Sequence, residues 1–180
     1  MPEVEIEPHS DDPALIAALR AYWIRKRGSR AYPSRRDIVP SEIREWLPFV
    51  LLVDVVERGA DFRYRLVGTH LNQFFPMPPA GKLMSKVLAP FGENTINRTI
   101  AAYRHVTTTG APLRVKGDGA LYGQPPKYFE ALLTPLCDDG VRVNMIFGGF
   151  DFQWNFLPMP GTAPNAPDER AWARALGEAR

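Results

Sequence analysis

Few residues in this chain carry side chains that could do chemistry, and the most reactive of them is a single cysteine, Cys137. A thiolate there could form a flavin adduct or act as a nucleophile if a nearby base or ligand lowered its pKa. Cys137 instead follows Leu136 at the end of a predicted strand and precedes Asp138 and Asp139, whose negative charge raises a thiol pKa. A structural cysteine is therefore expected. Arg25, Lys26, Arg27, Arg30, Arg35 and Arg36 form the one concentrated charge cluster, of a kind that could meet nucleic acid, nucleotide phosphates or an acidic partner. The first three fall in the last turn of a predicted helix, where cations favour the helix dipole, and no aromatic stacking platform accompanies them. They read as a solvated face, which argues against nucleic acid. Of the histidines, His9 lies in the N-terminal segment, His70 at the start of a short helix in a local hydrogen-bonding role, and His105 on a longer helix. No metal-ligand spacing, glycine-rich phosphate loop, nucleophile elbow or paired-carboxylate motif is present, so no catalytic residue is predicted.

Composition narrows the class. The chain has 180 residues and a net charge of +2 from 22 basic and 20 acidic side chains, a mixed surface rather than a polycation built for phosphate backbones. One cysteine permits no internal disulfide and suits a reducing compartment. The acidic start has no apolar signal region, and no apolar run is long enough for a membrane helix, so the cytoplasm is the expected location. The length fits one domain with appendages: a tail over 1–10, a helical lead over 11–46, a core domain over 47–157, and a Pro/Gly-rich linker with a C-terminal tail over 158–180.

The elements that must position these residues follow from periodicity. Asp12 as N-cap with Pro13 behind it opens a helix that Arg25, Lys26, Arg27 and Gly28 close. Its Leu15, Leu19, Tyr22 and Trp23 share one face, a candidate dimer or partner surface whose competing role is ordinary core. A short helix is expected over Ser41 to Trp46. From Phe49 to Phe75 the pattern reads strand, turn at Arg58-Gly59-Ala60-Asp61, strand, Gly68-Thr69, short helix. Pairing Glu57 with Phe62 places Asp54 opposite Arg65 and Val55 opposite Tyr64, each pair contributing roughly 0.2–1 kcal/mol. Gly81 to Leu88 holds a further helical turn. A longer helix is predicted from Glu93 to Thr109, ended by Gly110 and Pro112, with Ile96, Ile100, Tyr103 and Thr107 inward. Leu113 to Leu121, Lys127 to Leu136 and Val141 to Phe150 are strands, and Glu169 to Ala179 a weak terminal helix. Gly148-Gly149 in the last strand permits close approach by backbone, ligand or packing neighbour. Helices lying between a strand pair and a strand triple define an α+β domain, one five-stranded antiparallel sheet with helices on one face.

That order, and the residues carrying it, resembles the PAS domain, and within it the short stand-alone bacterial PAS proteins. The matching segments are Tyr32-Pro33-Ser34-Arg35-Arg36-Asp37-Ile38, Leu47-Pro48-Phe49, Phe62-Arg63-Tyr64-Arg65-Leu66-Val67-Gly68-Thr69 and Leu133-Thr134-Pro135-Leu136-Cys137-Asp138-Asp139-Gly140. Where PAS chains often show Phe-Gly after the first core helix, this chain has Phe74-Phe75-Pro76 and a stiff Met77-Pro78-Pro79 loop. The resemblance implies a sensory or regulatory module of bacterial signalling. It also implies a small-molecule pocket between sheet and central helix, dimerisation, and no catalytic residues.

Tyr64, Leu66, Phe74, Ile100, Tyr103, Leu132, Met145 and Phe147 are the candidate pocket wall, suited to a small apolar or aromatic ligand. Haem-binding PAS domains are similar in using a histidine on the long helix, which makes His105 the candidate ligand. At about 100° per residue it lies about 140° from Ile100, away from the face that closes on the sheet. Neither haem nor flavin is therefore expected as a cofactor. The expected assembly is a homodimer with a signalling protein partner. Two rival classes are a ligand-free interaction module, its pocket filled by its own side chains, and a small cone-shaped isomerase or cyclase, which would need a polar dyad in the cavity.

Overall fold

The structure is a computed structural model that describes residues 12–118 and 128–153; the expected tail, linker and terminal helix lie outside them. Five antiparallel strands, β1 (Val50–Val56), β2 (Asp61–Val67), β3 (Leu113–Asp118), β4 (Tyr128–Leu136) and β5 (Met145–Gln153), form one sheet in the order β2-β1-β5-β4-β3. Successive side chains on a strand point to opposite faces, so strands buried on one side only would alternate between apolar and polar. Here Val50, Leu51, Leu52 and Val53 are all buried, because both faces of the sheet are covered.

The inner face carries Leu51, Val53, Phe62, Tyr64, Leu113, Leu133 and Ile146, under α2 (Thr69–Asn72), α3 (Met84–Leu88) and α4 (Glu93–Thr109). α4 runs between the predicted ends, stopped by Gly110 in the left-handed region at φ 67. Its buried residues are Thr95, Ile100, Tyr103 and Val106, while Ile96 packs at the margin and Thr107 is half-buried. The outer face carries Val50, Leu52, Leu132, Leu136, Met145 and Phe147, under α1 (Ala14–Arg27). One helix thus covers the side that the sequence pattern leaves open, and Ile16, Leu19, Tyr22 and Trp23 are its buried apolar residues.

α1 is fixed by specific contacts. The Trp23 indole N–H donates to the Pro135 carbonyl at 2.9 Å in a buried bond. The Tyr22 hydroxyl accepts from the Val39 N–H at 2.9 Å. Pro13, not Asp12, occupies the N-cap position, and Asp12 is instead buried in ion pairs with Arg20 at 3.2 Å and Arg114 at 2.9 Å. Arg114 also donates to Glu130 at 2.8 Å, and Lys116 approaches the same carboxylate at 3.3 Å. Burial and the Glu130 charge push the neighbouring Asp151 carboxyl above its ordinary pKa. A buried ion cluster of this kind is costly to break, because removing one member strands the others.

The β1–β2 register differs from the expected one. Val55 faces Phe62 and Asp54 faces Arg63, with a bulge at Leu52/Val53 beyond which Leu51 pairs with Val67. The turn tightens by placing Glu57 and Arg58 at φ 46 and φ 58, a backbone choice that residue types alone do not announce. Asp54 and Arg65 still meet, diagonally, at 2.8 Å. The segment over 41–46 is a 3-10 turn, Pro40–Ile43, rather than an α-helix. Residues 81–83 run along the free edge of β2: the Tyr64 N–H donates to the Lys82 carbonyl at 3.0 Å, and Arg63 bridges Leu83.

Gly149 sets how closely α1 approaches. A Cβ built there would lie 1.8 Å from Leu19 Cδ1. Gly149→Val is expected to destabilise the fold by about 1–3 kcal/mol, as overpacking does. In urea unfolding, combining it with Leu19→Ala should cost less than the sum of the two single changes; strict additivity would refute direct contact.

Candidate functional site: a cavity between the sheet and the central helix

The inner-face core does not close completely. Between the five strands, α2 and α4 lies a cavity of about 190 Å³, whose walls are mostly apolar and aromatic. β1 and β2 contribute Leu51 and Tyr64. β4 contributes Phe129, Ala131 and Leu133, and β5 contributes Phe150 and Phe152. α4 presents Arg98, Thr99, Ala102 and Tyr103, and the chain around α2 presents Leu71, Phe74 and Phe75. Strand alternation explains the choice: odd positions of β4 and even positions of β5 face inward.

The aromatic rings are arranged as a connected wall. Phe74 stacks on Phe152 at 4.3 Å, and Phe129 lies 5.9 Å from Phe150 and 6.1 Å from Phe152. Tyr64 meets Phe75 edge-on at 5.3 Å. Phe129 can reach over β3 because Gly117 has no side chain, since a Cβ there would lie 2.7 Å from the ring. His70 sits against Phe49 at 4.8 Å and Phe152 at 5.7 Å, beside this wall.

Three of the predicted wall residues, Tyr64, Phe74 and Tyr103, line the cavity, and Ile100 is buried in the same core without reaching its surface. The other four do not face it. Leu132, Met145 and Phe147 point to the outer face under α1, one residue out of phase with the inward set. Leu66 is displaced by the bulge, which reverses alternation so that Val67 turns inward and Leu66 outward. Phe129, Leu133, Phe150 and Phe152 take their place. A signal for two of them was present, because Phe150-Asp151-Phe152 alternates and excludes Phe147 from the same face.

The two glycines divide between the faces. Gly148 is filled by Leu133 and Leu51, which a Cβ would meet at 3.0 and 3.1 Å, and Gly149 by Leu19. The candidate dimer face of α1 is not free, because Leu19, Tyr22 and Trp23 are buried in the chain's own core and Leu15 packs against it. The sheet's second face needs a cover, and α1 supplies it from within.

The remaining candidates lie away from the cavity. His105 is half-buried on α4 and is not among the lining residues. Cys137 is buried and donates to Asp139 Oδ1 at 3.1 Å; burial first, then the Asp139 contact, pushes its thiol pKa up. Asp139 accepts from the N–H groups of Arg142 at 3.0 Å and Val141 at 2.8 Å, which hold its carboxyl at about 2. Half of the basic cluster is held in ion pairs: Arg25 and Lys26 pair with Glu42 at 3.7 and 2.8 Å, and Arg30 with Asp37 at 2.9 Å. Among the described residues no group of three potential ligands could hold a metal ion, and no helix is long and apolar enough to cross a membrane.

A five-stranded antiparallel sheet closing on a central helix around an aromatic cavity defines the α+β class of this chain. The family model described as the PAS domain matches residues 12–150, and the chain belongs to that family. The matched span includes α1 as well as the sheet up to Phe150 in β5. No curated protein and no solved structure matches the chain.

The Cys137–Asp139 turn has a measurable consequence. Because the folded pKa of Asp139 is depressed to about 2, its contribution is present above the ordinary carboxylate range and is lost as pH falls through that value. The Tm gap between wild type and Asp139→Ala should therefore be open near neutral pH and close as pH approaches about 2, a gap independent of pH being the contrary result. Cys137 should react with a thiol reagent only after unfolding.

Proposed function

We propose that this PAS domain is a ligand-binding sensor whose effector occupies the cavity between the inner sheet face and α4. The observation that carries this is the lining itself: a space of about 190 Å³ left open among Tyr64, Phe74, Phe129, Phe150 and Phe152 in an otherwise closely packed core. Apolar walls with a few polar groups are how small-molecule sites are built. The ligand is accordingly small and apolar or aromatic.

The output is a change in packing on the far side of the sheet. β4 and β5 touch the cavity with Phe129, Ala131, Phe150 and Phe152, and touch α1 with Leu132 and Phe147. A ligand that binds two sheet arrangements unequally shifts α1 against β5, where Gly149 leaves no slack under Leu19. A protein partner or a second copy then reads that surface, in a bacterial cytoplasmic signalling role. An enzymatic reading is less well supported, since no acidic side chain lines the cavity among the described residues.

Native mass spectrometry and a UV-visible spectrum of freshly purified protein test this. The expected result is a small-molecule adduct without Soret or flavin absorption. Ala102→Phe, which puts a ring into the cavity from the partly buried face of α4, should abolish it while leaving the circular dichroism unchanged. A wild-type protein that carries no adduct, and gains no thermal stability from any small aromatic compound, would instead be a ligand-free interaction module.

A further inference from the structure

We propose that the ligand is an aromatic acid of single-ring size, held by its ring among the phenylalanines and by its carboxylate at Arg98; this rests on the cavity reading above. Size comes first. A dry cavity of roughly 150 Å³ takes benzene, and this one measures about 190 Å³, enough for one ring and a short substituent. Its shape is set by rings already paired: Phe74 on Phe152 and Phe129 beside both Phe150 and Phe152. A further ring adds to such a set edge-on or offset-stacked, gaining beyond its buried area.

Charge decides the substituent. The charged residues that border the cavity are Arg98 and Lys116, and no Asp or Glu lines it among the described residues. Lys116 is at an even position of β3, and its amine is engaged by Glu130 at 3.3 Å in the ion cluster of the outer face. Arg98 lies on α4, exposed at the cavity rim, and makes no ion pair with any described residue. A cation at the mouth of an apolar cavity without acids selects an anion, and guanidinium presents parallel donors that fit a carboxylate. A ligand amine would face the like charge of Arg98 with no carboxylate among the described lining residues to pair with it.

Calorimetric titration of the full chain at low salt with phenylacetate, phenylacetamide and benzylamine separates the possibilities. Phenylacetate should bind about tenfold more tightly than its neutral isostere, the scale of one charge-assisted contact at a rim, and benzylamine weakest. Arg98→Gln should erase the preference without weakening phenylacetamide, Arg98→Lys should keep part of it, and added salt should shrink it. Arg98 is exposed on a helix surface where glutamine is well tolerated, so folding is not at stake. Equal binding of phenylacetate and phenylacetamide, or a preference that survives Arg98→Gln, overturns the acid assignment and leaves the cavity reading standing. Failure of all three compounds to bind overturns both.

Discussion

The structure depends on a sheet that is buried on both faces. Two-residue alternation along a strand gives each face its own set of side chains, and every strand in the middle of this sheet must satisfy two neighbours at once. Leu51 and Val53 belong to the cavity side and Val50 and Leu52 to α1. The adjacent glycines of β5 show how narrow the tolerance is. Gly148 makes room for Leu51 and Leu133 on one side, and Gly149 makes room for Leu19 on the other.

Polarity is sorted by the same alternation. The outer face of β3, β4 and β5 holds Arg114, Lys116, Glu130 and Asp151, tied to Asp12 just before α1 and through it to Arg20 in the middle of that helix. The inner positions of those strands are Val115, Phe129, Ala131, Leu133, Phe150 and Phe152. The ions therefore hold α1 in place without bringing a carboxylate near the cavity. Burying such a cluster adds little net stability, while removing one member leaves the charges of the others without partners.

Much of the fold was legible because its boundaries rest on local chemistry. Gly92 and Gly110 bracket α4, Gly28 ends α1, and β-branched runs mark the strands. The pairing of two halves into one sheet followed from element order. What could not be read was phase. The β1–β2 turn takes positive φ at Glu57 and Arg58, and the bulge at Leu52/Val53 shifts everything beyond it, so Leu66 changes face. Leu132, Met145 and Phe147 look as suitable for a pocket as Leu133, Phe150 and Phe152, because a doubly covered sheet makes both sets apolar. Asp12 illustrates the same limit. Its partners Arg20 and Arg114 are contributed by a helix turn and a distant strand, and nothing in the local sequence distinguishes that role from helix capping.

The strip of residues 81–83 laid along β2 bears on assembly. A sheet in which both outer strands are bare can add copies without limit and grow into a fibre. Here the β2 margin is occupied at Arg63 and Tyr64 by the Lys82 carbonyl and the bridge to Leu83, so a strand from another copy cannot pair with that stretch of backbone.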